Sequence, residues 1–242
     1  MLRTDEQKQK ILNRLEPTKV YENVVPDDLM SDLLEAWHSG EKNHKNTGPV
    51  TYDYYPNKEV HTDWWIKTDK FITEFIGDHW TFATNFFEVD YPHILHNDDS
   101  VRWVPDLYKT IVIPMAIDKP TNFAVFDQCY LDGPVKLRHG GNPKGKNHAK
   151  PQTYYNTDLL SNESLIGYTG KVFDEILYNK YFTHLPIERF TGLTVERIVE
   201  WKPGDIIVFD TARIHCAANF KENGIKSKLG YSIFTAKNDI SK

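Results

Sequence analysis

The chain has 242 residues, 40% of them hydrophobic, and a formal net charge of −5. That length suits one domain with a single buried core. The acidic balance disfavours a nonspecific nucleic-acid or anionic-membrane binder, which needs a basic face. The two cysteines, Cys129 and Cys216, are too few for a disulfide framework, so a reducing, cytoplasmic compartment is expected. No apolar run approaches the roughly 20 residues of a membrane span, and the first residues lack the apolar stretch of a secretory signal.

Thr4 and Gln7 match a capping box, and Ile11, Leu12 and Leu15 continue a helical stripe that Pro17 stops. Residues 20–25 read as a short strand. A second helix opens at Pro26, runs through Leu29, Leu33, Leu34 and Trp37, and ends at Gly40. Residues 41–49 read as a polar loop and 52–56 as an irregular aromatic stretch. Trp64, Trp65, Ile66, Phe71, Phe75 and Ile76 form a third helical stripe, closed by Gly77.

From Phe82 onward the runs are short, β-branched or aromatic, and broken by turns. Residues 108–117 read as a strand, 118–121 as a turn and 122–126 as a returning strand. Residues 127–157 carry glycine, proline and basic residues without periodicity, which fits either a substrate loop or plain disorder. Residues 172–181 read as a helix and 193–201 as a strand or turn. Pro203-Gly204-Asp205 is a turn, followed by strands over 206–209, 213–217 and 226–236. The expectation is one domain over 1–242, mainly β, with helical support in 1–80 and a barrel or sandwich core in 81–236.

His96-Asn97-Asp98 follows the first of these β runs. In extended chain the side chains at i and i+2 point the same way. One imidazole and one carboxylate then face one point, two-thirds of the facial triad that holds non-haem Fe(II) and leaves positions open. His215 opens a strand after a turn–strand–turn, which suits a third ligand on a barrel that folds back over the pair. Asp99 is the rival carboxylate. The remaining histidines read as structural, surface or loop residues.

This ordered set resembles the Fe(II)/2-oxoglutarate-dependent oxygenases, in the phytanoyl-CoA hydroxylase-like and prolyl-hydroxylase-like branches. His96-x-Asp98, a distant His215 preceded by Pro203-Gly204-Asp205 and followed by Asn219, and a basic residue opening the last strand carry the resemblance. It implies a double-stranded β-helix (a jelly-roll, cupin-like core), with Fe(II), 2-oxoglutarate and O2. It implies His96, Asp98 and His215 as catalytic iron ligands. The family's basic anchor for the distal carboxylate of 2-oxoglutarate is usually Arg, and residues 224–232 contain none. Lys228, on the face of Gly230 and Ser232, is the first candidate for the co-substrate site, with Ser232 beside it. Lys226 is second, Lys109 third, and Arg213 shares the face of His215.

The implied activity is hydroxylation of an unactivated C–H bond in a small polar molecule such as an amino acid. Tyr130, Arg138, Tyr154, Tyr155 and Asn156 are candidate pocket residues. The alternatives are a peptide or protein hydroxylase, a jelly-roll enzyme using another metal, and a non-catalytic cupin-like binding module. No membrane partner is expected, and nucleic acid is disfavoured.

Overall fold

A computed structural model describes residues 3–40, 43–45, 51–54, 62–99, 104, 106–135, 137 and 162–237. The elements in chain order are α1 (Asp5–Leu12), β1 (Lys19–Tyr21), α2 (Asp27–Ser39), β2 (Asn43–Lys45), β3 (Thr51–Tyr54) and α3 (Asp63–Ile76). Then follow β4 (Trp80–Val89), β5 (Leu107–Ile117), β6 (Asn122–Cys129), α4 (Glu175–Tyr181), β7 (Val195–Glu200), β8 (Ile206–Asp210), β9 (Arg213–Ala217) and β10 (Lys228–Ala236). Thr4 caps α1 through the expected reciprocal pair with Gln7. No described helix is long and apolar enough to cross a membrane.

The strands form two sheets, a larger one in the order β1-β8-β5-β10-β4-β3-β2 and a smaller one in the order β7-β6-β9. Their pairings are antiparallel. From β5 to β10 the chain passes large–small–small–large–small–large, the winding of a double-stranded β-helix. His96 extends the smaller sheet by one bridge to His215 on the edge of β9.

Strand alternation separates three apolar layers. Ile111, Ile113 and Met115 of β5 and Leu229, Tyr231 and Ile233 of β10 face outward and pack under Leu29, Leu33, Trp37 and Ile72 of α2 and α3. Ile214 and Cys216 of β9 face out the other way, onto a cluster with Phe173, Phe182 and Phe190. Between the sheets lie Val112, Phe123, Val125, Val199, Trp201, Ile207 and Phe209. The functional groups are arranged around this inner layer.

Several boundaries differ from those expected of the sequence. The first 80 residues contribute strands as well as helices, because β1 pairs with β8 and β3 pairs with β4. β2 and β3 fall where a polar loop and an irregular stretch were expected. Their extended form is set by pairing to an existing edge, which local periodicity does not encode. α4 begins at Glu175 rather than 172, since the Asp174 side chain accepts from the amides of Ile176 and Leu177 and so caps it there. Ahead of that cap the chain sends Phe173 into the core and leaves Val172 82% exposed.

Candidate functional site

Two backbone hydrogen bonds bring the histidines together. His96 N–H donates to the His215 carbonyl at 3.0 Å, and His215 N–H donates to the His96 carbonyl at 2.8 Å. Asp98 N–H then donates to the Thr211 carbonyl at 3.1 Å. The rings of His96 and His215 lie with centroids 4.1 Å apart. Potential ligand atoms of His96, Asp98 and His215 all fall within 4.8 Å of one another.

The donor set is oriented as a metal requires. His96 Nδ1 lies 2.7 Å from the Ile94 carbonyl, and His215 Nδ1 lies 3.1 Å from the Arg213 carbonyl. A carbonyl can only accept, so each Nδ1 carries a proton, which turns each Nε2 toward Asp98 and leaves it to give a lone pair to a metal once its own proton is lost. Those Nε2 atoms lie 3.7 Å and 3.3 Å from the two oxygens of Asp98. Burial pushes the Asp98 carboxyl up, but the imidazoles of His215 and His96 and a hydrogen bond from Thr110 outweigh it, and the group titrates below its ordinary value. Two neutral imidazoles and an ionised carboxylate form a set suited to a divalent transition metal. The rings of Phe123 and Phe209 flank His215 at 5.4 Å and 4.8 Å. Asp99, the rival carboxylate, is paired with Arg3 and fully buried.

The same interior holds an unusual cation. Lys228 is only 4% exposed, and no carboxylate or hydrogen-bond acceptor is paired with its ammonium among the described residues. Its Nζ sits 4.0 Å over the Trp201 ring and 5.8 Å from that of Phe220. Burial lowers its pKa to about 7. The buried indole Nε1 of Trp201 also lacks a partner among the described residues. Ser232 shares the inward face of Lys228, and its register partner Asn85 has a buried Oδ1 that no described residue pairs. Lys228 and Trp201 thus place a buried cation and a buried indole N–H side by side, with no anion paired to either among the described residues.

The other basic candidates are placed differently. Lys109 lies on the opposite face of β5 from Thr110, with Nζ 2.6 Å from Asp210 and 3.2 Å from Glu16. Arg213 does share the inward face of His215. Its guanidinium pairs with Asp210 at 3.5 Å and Asp127 at 3.6 Å, and donates to the carbonyls of Phe126, Asp127 and Glu16. Both cations are therefore engaged within the fold. Lys226 is exposed, and its carbonyl accepts from Lys221 Nζ. Tyr130 is buried in the cluster outside the smaller sheet. Arg138, Tyr154, Tyr155 and Asn156 lie outside the described residues.

Sequence reasoning missed Thr110, Trp201 and His184. Alternation along β5 was the available signal for Thr110. Nothing local marks Trp201, which precedes a turn. His184 was expected in a surface loop, yet the nitrogens of its half-buried ring are shut off from solvent near Lys228, and burial lowers its imidazole to about 4. Trp201 also explains Gly230. A Cβ there would meet Trp201 Cζ2 at 2.6 Å, Phe87 Cζ at 2.7 Å and Trp201 Cη2 at 2.8 Å. Gly230→Ala is expected to cost about 1–3 kcal/mol, as overpacking does. It is also expected to displace the indole from beneath Lys228. Thermal unfolding together with the intensity and position of tryptophan fluorescence measures both, and an unchanged melting temperature would remove the packing argument.

No family model matches the sequence, and no curated protein matches it. Solved structures do. The non-heme alpha ketoglutarate dependent epimerase SnoN from nogalamycin biosynthesis aligns with a TM-score of 0.51 at 11% identity, over 96% of this chain and 83% of that one. HygX from Streptomyces hygroscopicus, with nickel and 2-oxoglutarate bound, aligns with a TM-score of 0.50 at 11% identity, over 98% and 88%. An oxidoreductase of the 2OG-Fe(II) oxygenase family from Burkholderia pseudomallei aligns with a TM-score of 0.51 at 10% identity, over 98% and 93%. The double-stranded β-helix of this chain, with its inward-facing His96, Asp98 and His215, is thus the fold of the 2-oxoglutarate–Fe(II) oxygenases.

Proposed function

We propose that the chain is an Fe(II)- and 2-oxoglutarate-dependent dioxygenase that hydroxylates an unactivated C–H bond of a small polar molecule. The observation that carries this reading is one interior bordered by both a His–carboxylate–His set and a buried cation with no anion paired to it among the described residues. A binding module explains the fold but gives no reason to keep either feature.

His96 Nε2, His215 Nε2 and a carboxylate oxygen of Asp98 hold the metal and leave its remaining positions to ligands. Lys228 takes the distal carboxylate of 2-oxoglutarate as a point charge, in place of an arginine fork. Trp201 offers its indole N–H nearby, and Ser232 and Asn85 supply polar atoms along the wall. Phe123, Phe209 and Val112 keep water from the co-substrate, which strengthens every charge interaction there. When bound, iron and 2-oxoglutarate supply the oxidising chemistry: O2 is consumed, 2-oxoglutarate leaves as succinate and CO2, and one oxygen atom enters the substrate C–H bond. The small-molecule reading is supported by HygX, whose structure has also been solved with hygromycin B bound. A peptide hydroxylase is the alternative that substrate screening addresses. A cytoplasmic location belongs to the same reading, since both cysteines are buried and unbridged.

Anaerobic addition of Fe(II) and then 2-oxoglutarate to the metal-free protein tests the proposal without knowledge of the substrate. A weak visible charge-transfer band that is missing in His215→Ala is the expected result. A folded wild-type protein that gives no band overturns the oxygenase reading in favour of a binding module.

A further inference from the structure

We propose that Arg3, at the start of the chain, is a positioning residue for the metal-ligand segment 96–99. The inference rests on reading His96, Asp98 and His215 as a metal centre. That segment is not a regular strand. It touches the smaller sheet through one isolated bridge, and its Asn97 and Asp98 amides donate to the carbonyls of Val135 and of Thr211 in the turn before β9. Alternation nevertheless divides its side chains. His96 and Asp98 face the site, and Asn97 and Asp99 face away.

Both rear-facing side chains are tied down. Asn97 Nδ2 donates to the carbonyls of Tyr130 and Gly133, each at 3.1 Å, and its Oδ1 accepts from Val135 N–H at 2.8 Å. Asp99 is 0% exposed and receives the Arg3 fork. Arg3 Nη1 bonds Asp99 Oδ2 and donates to the Leu131 carbonyl at 2.6 Å. Arg3 Nη2 bonds Asp99 Oδ1 at 3.1 Å and donates to the Val104 carbonyl at 2.8 Å. One planar group therefore joins the residue after a proposed metal ligand to two other segments. Lysine cannot reproduce that fork.

Removing the guanidinium leaves a buried carboxylate without its cation, which must take up a proton, rotate out or admit water, and in each case its ties to the segments of Val104 and Leu131 are lost. Asp98 shares a peptide bond with it and moves too. Outer partners of metal ligands commonly contribute 10–100-fold to metal affinity, and Arg3 acts one bond further away, so about 10-fold is expected.

The test is a Co(II) titration of the metal-free protein, followed by visible ligand-field absorption, with thermal unfolding measured in parallel. Arg14→Gln is the control, because Arg14 makes a less buried ion pair with Asp106 and donates to the Leu107 carbonyl without touching residues 96–99. Arg3→Gln is expected to raise the Co(II) dissociation constant about 10-fold, with an altered spectrum. Arg14→Gln is expected to leave both unchanged, whatever it does to the melting temperature. Arg3→Lys, which keeps the charge, is expected to fall between wild type and Arg3→Gln, and serves alone if Arg3→Gln does not fold. Equal affinity shifts in the Arg3 and Arg14 variants, or none in either Arg3 variant, overturn the proposal. A wild-type protein that binds no Co(II) overturns the metal-centre reading instead.

Discussion

Lys228→Met is expected to make the ligand-free protein more stable and to weaken 2-oxoglutarate binding by orders of magnitude. The two effects have one cause. In the unfolded chain the lysine keeps its proton to the ordinary 10.5, and in the fold burial lowers that to about 7. Between those values the unfolded state binds more protons than the folded one, so this group makes stability rise with pH. Its cost is fully present below about pH 7 and is relieved as pH approaches 10.5. The cost is on the order of 5 kcal/mol at 1.36 kcal/mol per pH unit. Methionine removes most of it, and the melting temperature near pH 6 should rise by roughly 10 °C. Removing one partner of a buried charge pair costs about 3–5 kcal/mol, so 2-oxoglutarate affinity should fall on the order of 10²–10³-fold. In the wild type, affinity should weaken above about pH 7, where the free ammonium loses its proton. Calorimetry with the Mn(II) form across pH 6–9, beside thermal scans of both proteins, measures all three. A methionine variant that melts at the wild-type temperature and binds 2-oxoglutarate equally well would remove Lys228 from the site.

The inward placement of Lys228 was legible in the sequence. The alternation Lys228, Gly230, Ser232 against Leu229, Tyr231, Ile233 is local, and by itself it sets Lys228 on the face opposite the apolar row. The spacing His96-x-Asp98 works the same way, as do the long apolar runs of β5, β8 and β10. Long-range side-chain choices leave no such trace. Lys109 and Lys228 are both basic residues on strands. Only the fold shows that Asp210 and Glu16 meet the first while an indole underlies the second. Arg3 reaches across 96 positions to Asp99, and nothing in its neighbourhood announces that. β3 takes its extended form from β4, so its own composition was a poor guide. The ring nitrogens of His184 are covered by tertiary packing rather than by any period of its own.

The sharpest test of the site compares the adjacent carboxylates. Asp98→Asn is close to isosteric and keeps an oxygen for Thr110, but it removes the negative charge between the two imidazoles. Those Nε2 atoms lie 3.3 Å and 3.7 Å from its oxygens, close enough for one ion to be shared among all three groups. Loss of an outer partner alone commonly costs 10–100-fold in metal affinity, so loss of the charged ligand is expected to exceed about 100-fold. The band formed with Fe(II) and 2-oxoglutarate should disappear with it. Asp99→Asn should behave differently. Its oxygens belong to Arg3, the amide still accepts one of those bonds, and metal affinity should change by no more than about 10-fold. Asp98 titrates below its ordinary value even without metal, so its favourable contribution is present above that value and is lost as pH falls through the depressed one. Burial raises the Asp99 carboxyl in spite of Arg3, so its charge does not add to stability at neutral pH in that way. Metal titrations of the two variants therefore separate the two carboxylates. If Asp99→Asn abolishes metal binding and Asp98→Asn keeps it, the ligand is the other carboxylate, and the alternation that sets 96 and 98 against 97 and 99 is wrong.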